Sequence, residues 1–72
     1  MLNPAMISVT INGEPRSFEQ PLAFAQLIEA LGLAGKRIAI ERNGEIVPRS
    51  RFGASSVADG DKLEIVVAVG GG

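Results

Sequence analysis

The 72-residue sequence contains no cysteine, histidine, tryptophan or tyrosine, and these absences exclude several classes of function. Without cysteine the chain has no disulfide, no thiol nucleophile and no thiolate metal site. Without histidine it lacks the commonest general base and the commonest metal ligand. The remaining polar residues form no recognisable catalytic set. We therefore expect a protein that is not an enzyme and that binds no cofactor or metal of its own.

The net charge and the length of the apolar segments limit which partners and which cellular location we expect for the protein. The 7 Lys and Arg residues against 8 Asp and Glu residues leave no basic excess to neutralise phosphates, so nucleic acid is not an expected partner. No apolar stretch approaches the roughly 20 residues that cross a membrane. Residues 1–5 have neither the basic nor the long apolar region of a signal peptide. The sequence predicts a single cytoplasmic domain over residues 1–72.

The first half of the chain predicts a hairpin followed by a helix. Residues 6–11 alternate apolar and polar as a half-buried strand, and Asn12-Gly13 predicts a type I′ turn into a return strand over 14–19. Pro21 is placed as the first helical residue. Gly32 suits the left-handed position that ends a helix. Helical spacing predicts one apolar stripe, made of Phe24, Leu27, Ile28 and Leu31.

The second half predicts three more strands and a loop. Residues 38–42 and 45–47 form a second hairpin around Asn43-Gly44, and residues 49–58 form a loop with a short helical turn near Arg51 and Phe52. A tight turn over 59–61 leads into the last strand over 63–67. This order predicts an α+β fold of the β-grasp type, a mixed sheet of four to five strands around one helix. The first and last strands are expected as parallel neighbours at the sheet centre.

The chain ends in three glycines, Gly70 to Gly72, directly after the last strand. Glycine loses more freedom on ordering than any other residue, so these residues predict a thin, flexible tail that can thread a narrow site on a partner. The carboxylate of Gly72 is ionised at neutral pH and is an oxygen nucleophile. Attack on the α-phosphorus of ATP would give an acyl-adenylate that sulfur or an amine can displace. The alternative is a frayed terminus without function.

An apolar strip on the last strand is a second candidate for function. Leu63, Ile65 and Val67 share one strand face, and the opposite face carries an apolar strip that leads to the tail. We predict that this strip docks a partner, with Val66, Ala68 and Val69 as its residues. Its neighbours would be drawn from Met6, Ala39 and Val47. The alternative is an ordinary set of exposed apolar side chains.

Other charged groups carry weaker functional interpretations. Asp59 and Asp61 suggest cation binding, but a turn without further oxygen ligands is the preferred interpretation. Adjacent strands could bring together Glu41, Glu45 and Glu64. A chain this small does not easily build the pocket that a catalytic carboxylate site needs, so we prefer the interpretation that these residues lie on a solvated face. Five basic residues could form a positive rim that docks an acidic partner. We favour the alternative, that they are scattered charges that keep the protein soluble. They are Lys36, Arg37, Arg42, Arg49 and Arg51.

Three segments resemble the ThiS family, the sulfur carriers of thiamine biosynthesis. The acidic turn, the apolar last strand and the terminal glycines over 59–72 are shared by the wider ubiquitin-like carriers. Residues 12–14 and 40–49 complete the resemblance, and the segment Asn-Gly-Glu-Ile-Val-Pro-Arg over 43–49 favours ThiS over the small subunit of molybdopterin synthase. The family's best-known form ends in two glycines, so the third glycine here is a departure.

The resemblance implies a ubiquitin-like β-grasp carrier that other enzymes act on. In that family the last glycine, here Gly72, is adenylated with ATP by a ThiF-like E1 adenylyltransferase. It then becomes a thiocarboxylate, with sulfur from cysteine desulfurase chemistry, and delivers that sulfur to thiazole synthase, ThiG. Gly70 and Gly71 match the slender lead. The alternatives are a carrier for molybdopterin or another acceptor, and a β-grasp interaction domain whose tail never reacts.

Overall fold

The computed structural model describes residues 5–68, which form five strands, one α-helix and one 3-10 turn. The predicted tail residues 70–72 and Val69 lie outside the described residues. In chain order the elements are β1 (Ile7–Ile11), β2 (Glu14–Phe18), α1 (Phe24–Ala30), β3 (Ile38–Arg42), β4 (Glu45–Val47), the 3-10 turn (Arg49–Arg51) and β5 (Lys62–Val67).

The strands form one mixed sheet in the order β2-β1-β5-β3-β4. β1 lies parallel to β5, with Thr10 opposite Lys62 and Ile11 opposite Leu63, and the other neighbouring pairs are antiparallel. Parallel neighbours need a long crossover, which the whole intervening chain with its helix supplies. The α+β, ubiquitin-like β-grasp prediction is confirmed, including the parallel pairing of the first and last strands near the sheet centre.

Both predicted Asn-Gly turns are present. Asn12 and Gly13 have φ values of 53° and 84°, and Asn43 and Gly44 have values of 52° and 88°. Positive φ at both central positions defines the type I′ turn, whose twist matches that of the two strands it joins. Asn is one of the few residues besides glycine that tolerate this region, so the local sequence alone determines where each hairpin turns.

The apolar stripe of the helix forms the centre of the core. Phe24 and Leu27 have no exposed surface, and they pack with the inward-facing residues of the sheet, such as Ile40 and Leu63. At the C-terminal end Gly32 has φ of 75°, its N–H donates to Glu29 O, and the next N–H donates to Ile28 O. These two bonds form a Schellman motif and confirm the prediction for Gly32.

The prediction that Pro21 begins the helix is wrong, because the helix begins at Phe24. The preceding residues are extended and pair with the loop that follows the 3-10 turn. Ala23 forms a β-bridge with Ser56, and the N–H of Val57 donates to the Leu22 carbonyl at 2.8 Å. These backbone contacts hold Leu22 and Ala23 extended, so the helix starts three residues later than predicted.

The loop over residues 49–58 also contributes to the core, which its sequence did not indicate. Its helical turn is present as the 3-10 turn, after which Phe52 is 9% exposed and Val57 has no exposed surface. The Phe52 and Phe24 rings lie 6.4 Å apart between centroids, and Phe52 O accepts the N–H of Ala25 at 2.9 Å. The loop therefore packs over the beginning of α1 and closes the core there.

Candidate functional site

The end of β5 presents an exposed apolar face at the point where the tail begins. Leu63 and Ile65 are buried on the core side, whereas Val66 on the other side is 64% exposed. Ala68 is exposed too, and its N–H donates to Arg37 O at 2.9 Å, so the pairing with β3 continues one residue past the strand. Ala68, the last described residue, thus still lies beside the start of β3.

The structure brings together part of the predicted docking strip. Val66 and Ala68 lie on the exposed face as predicted, and Ala39 is the direct cross-strand partner of Val66. Val69 lies outside the described residues, as do Gly70, Gly71 and Gly72. Whether this strip contacts a partner stays a prediction.

Two of the proposed neighbours of the strip are elsewhere. Val47 pairs with Ile40 and packs against the core, since the register turns it to the inner face. Met6 precedes β1, at the end of the sheet where Ser8 N–H donates to Asp59 Oδ1 at 2.7 Å. That end is opposite to the one from which the tail departs, because β1 and β5 run parallel. The expectation that Met6 and Val47 widen the strip is therefore wrong.

The exposed outer face instead includes Ile46, which sequence reasoning did not single out. Ile46 is 64% exposed and lies opposite Glu41, whose other neighbour across the sheet is Glu64. Residues 45–47 read polar, apolar, apolar, so the sequence left open which of Ile46 and Val47 faces outward. Only the order of the strands shows that Ile46 shares a face with Val66.

The side chain of Asn12 holds β5 close to the tail. Its Oδ1 accepts the N–H of Ile65 at 2.8 Å, and its Nδ2 donates to the Ile65 carbonyl at 3.1 Å. β1 ends at Ile11, so this amide adds one rung to the parallel pairing beyond the end of that strand. At the start of β5, Asn43 binds Lys62 through its Oδ1 and its own N–H. The Asn side chain of each hairpin turn thus forms hydrogen bonds with the central strand β5, one from each side; we call these two contacts the asparagine clamp.

A partly buried ion pair joins the loop to the sheet. Asp61 is 7% exposed, its Oδ2 accepts a hydrogen bond from Arg42 Nε at 3.0 Å, and Arg42 Nη2 lies 2.9 Å from the same oxygen. Arg42 also donates to the Ser56 carbonyl, and its guanidinium lies 5.1 Å from the centre of the Phe24 ring. Arg42 is therefore partly buried and bonded within the fold, and neither the positive rim nor the solubilising interpretation describes it.

The acidic residues with a candidate function, all within residues 5–68, lie in a turn and on the two faces of the sheet. Asp59 and Asp61 each accept a backbone N–H, from Ser8 and Ala58 respectively, which fits the turn interpretation. Glu41 and Glu64 share the outer face, while the register turns Glu45 to the other face beside Arg42. In the described part of the chain no three Asp or Glu residues are placed to hold a metal ion. None of its helices is long and apolar enough to cross a membrane.

Comparison with known proteins agrees with this geometry. The model of the ThiS family matches residues 9–72. The chain is 46% identical over 66 residues to a thiazole synthase of Paramagnetospirillum magneticum, and the match covers 92% of this chain and 20% of that protein. It is 42% identical to the protein ycf40 of Porphyra purpurea, with 92% and 93% of the two chains covered. The chain therefore spans a fifth of the length of the first relative and nearly all of the second.

A solved structure matches the fold over the whole of its chain. The crystal structure of the thiamine biosynthesis protein ThiS from Geobacter metallireducens superposes with a TM-score of 0.78 at 35% sequence identity. The superposition covers 92% of this chain and 100% of that one.

Proposed function

The chain belongs to the ThiS family, and on this basis we propose that it is a sulfur carrier of thiamine biosynthesis that partner enzymes act on. The carrier group is the C-terminal carboxylate of Gly72. The observation that carries the proposal is that the family match extends to Gly72 itself. The similarity of the fold to that of the Geobacter metallireducens ThiS supports it. The lack of histidine and cysteine agrees with a protein that is a substrate and not a catalyst.

The proposed chemistry takes place at one carboxyl group, that of Gly72. An oxygen of the carboxylate attacks the α-phosphorus of ATP and displaces pyrophosphate, which gives an acyl-adenylate. The terminal sulfur of a persulfide then attacks the carbonyl carbon and displaces AMP, which gives an acyl disulfide. A second thiol attacks the sulfur of the donor in this S–S bond, so that the thiocarboxylate leaves and the two thiols end as a disulfide. ATP is consumed by the activating enzyme and is not a cofactor of this chain.

The position of the last described residue supports this role. The four residues from 69 to 72 extend at most about 14 Å beyond Ala68. Glycine at the last three positions adds no side-chain width, so a partner pocket can close around the backbone. Val66 and Ala68 lie exposed just before this segment, where they would contact the rim of the pocket.

The proposed partners follow from this chemistry. A ThiF-like E1 adenylyltransferase forms the adenylate, cysteine desulfurase chemistry supplies the sulfur, and thiazole synthase, ThiG, receives it. The partnership with thiazole synthase has independent support, because two relatives that carry that name contain a region similar to this chain as a fifth of their length. We place the reaction in the cytoplasm, where these enzymes and ATP would be available.

The test uses the full chain with ATP, the ThiF-like enzyme and a cysteine desulfurase of the same organism. Intact mass should show the adenylate without a sulfur source and one oxygen-to-sulfur exchange with it. Deleting Gly71 and Gly72 should abolish both products and leave the melting temperature unchanged, because residues without side chains bury little apolar surface. Gly72→Ala should lower activation strongly. An interaction domain with a non-reactive tail would form neither product and would be indifferent to this substitution.

A further inference from the structure

Two glutamates face each other on the exposed surface of the sheet. Glu41 on β3 and Glu64 on β5 are direct cross-strand partners, and both are exposed. Side chains directly opposite one another on neighbouring strands are close enough to interact, and like charges in this arrangement destabilise the sheet. The fold itself therefore gains nothing from carrying both carboxylates there.

The described part of the chain supplies no ion pair to relieve this repulsion. Arg42 forms a salt bridge with Asp61, and the register turns Arg42 to the opposite side of the sheet. Lys62 shares the outer face with Glu64 but forms no salt bridge with it. The glutamate pair thus presents two negative charges to whatever covers this face.

Apolar side chains lie on both sides of the pair. Ile46 is the neighbour of Glu41 on β4, and Val66 follows Glu64 on β5 toward the tail. Each of the two is 64% exposed, and they are among the three large apolar side chains that are exposed in the described residues. Beside the pair, toward the Asn43-Gly44 turn, an open groove of about 440 Å³ is lined by both glutamates and by Lys62. This outer face combines apolar contact area with two carboxylates and one ammonium group, a net charge of one negative unit.

We propose that the glutamate pair receives an arginine or lysine side chain of thiazole synthase, while Ile46 and Val66 contact apolar side chains around it. This inference rests on the proposed function for the choice of partner. A cation between two carboxylates would turn the repulsion into attraction, and a planar arginine can bond both. Thiazole synthase is the occupant because two relatives of that name contain a region similar to this chain within the same polypeptide, and a covalent link keeps two binding surfaces at a high effective concentration.

The register also locates the cation on the partner. Glu64 lies four residues before Ala68, or about 13 Å along an extended strand. The four residues up to Gly72 add at most about 14 Å more. The cationic side chain should therefore lie within about 27 Å of the atom on thiazole synthase that accepts sulfur, outside the mouth of the pocket.

The experiment measures binding of the full chain to the thiazole synthase of the same organism by calorimetry at low and high salt. The variant with both Glu41→Gln and Glu64→Gln should bind about fivefold to tenfold more weakly and with a smaller salt dependence. Its melting temperature should be equal or higher, since the repulsion is gone. Matched controls are Glu45→Gln, on the other face of the same hairpin, and Glu29→Gln on the helix, which should bind within twofold of the parent chain.

Three results would overturn the inference. The double variant would bind thiazole synthase as tightly as the parent, or Glu45→Gln would weaken binding as much, or the double variant would lose only its activation by the ThiF-like enzyme. Failure of the carrier function is distinguishable, because it shows as the absence of a thiocarboxylate on the parent chain. Binding that depends on the pair would then still support the docking surface.

Discussion

Replacing Asp61 by alanine tests how strongly one buried carboxylate holds the last loop to the sheet. Its Oδ2 accepts the N–H of Ala58 at 2.8 Å in addition to the two contacts from Arg42, and its Oδ1 lies 3.3 Å from Asn43 Nδ2. Alanine removes all of these acceptors at once. It leaves a partly buried guanidinium without its counter-ion and a backbone N–H without a partner.

The expected loss follows from the burial of the two partners. Breaking a buried ion pair by removing one side costs about 3–5 kcal/mol. The Arg42 side chain is 31% exposed and keeps its contacts with the Ser56 carbonyl and the Phe24 ring, so the lower end applies, about 3 kcal/mol. A domain of this size unfolds with roughly 4–11 kcal/mol, so Asp61→Ala would remove a large part of its stability. The melting temperature should fall by about 12–24 °C.

The assay is urea unfolding followed by far-UV circular dichroism, since the chain has no tryptophan or tyrosine for fluorescence. Asp59→Ala is the matched control in the same turn. It removes one exposed bond to Ser8 N–H and should cost about 1 kcal/mol. Combining Asp61→Ala with Arg42→Met should cost clearly less than the sum of the two single variants. Equal losses for Asp59→Ala and Asp61→Ala would refute the assignment of a special role to the buried carboxylate.

The other predictions concern the asparagine clamp, a turn and the core. Asn12→Ala removes two bonds to Ile65 and should cost about 1–2 kcal/mol, with faster amide hydrogen exchange at Ile65; unchanged exchange would contradict the asparagine clamp. Gly44→Ala should cost about 1–2 kcal/mol in urea unfolding because φ is +88°, although no atom obstructs a Cβ there, and a neutral effect would contradict backbone strain as the cause. Val57→Ala should lower the free energy of unfolding by about 2 kcal/mol, because it leaves a cavity in the core. The control Ala54→Ser, at an exposed position of the same loop, should change it by nearly zero.

Local chemistry in the sequence was enough to predict most of the fold. Asn-Gly pairs require positive φ, Gly32 ends the helix for the same reason, and alternating apolar residues identify the strands. These signals depend on neighbours within four residues along the chain. The parallel pairing of the first and last strands followed because few topologies accommodate one helix between two hairpins and a final strand.

Contacts between residues far apart in the sequence were not predictable in this way. Asn12 bonds Ile65 across 53 positions, and Arg42 bonds Asp61 across 19. The burial of Phe52 was equally hidden, because the loop around it has no periodic pattern. Placing Ile46 near Val66, and Met6 at the far end, required the register and order of the strands.

Intact mass spectrometry of the chain isolated from cells that make thiamine would detect the proposed thiocarboxylate itself. We predict a fraction of molecules heavier by one oxygen-to-sulfur exchange, with fragmentation placing the sulfur at Gly72. That fraction should rise in cells without thiazole synthase, where the sulfur is not consumed, and disappear in cells without the ThiF-like enzyme. A chain that carries only oxygen at Gly72 in sulfur-replete cells, both with and without thiazole synthase, would contradict the carrier function.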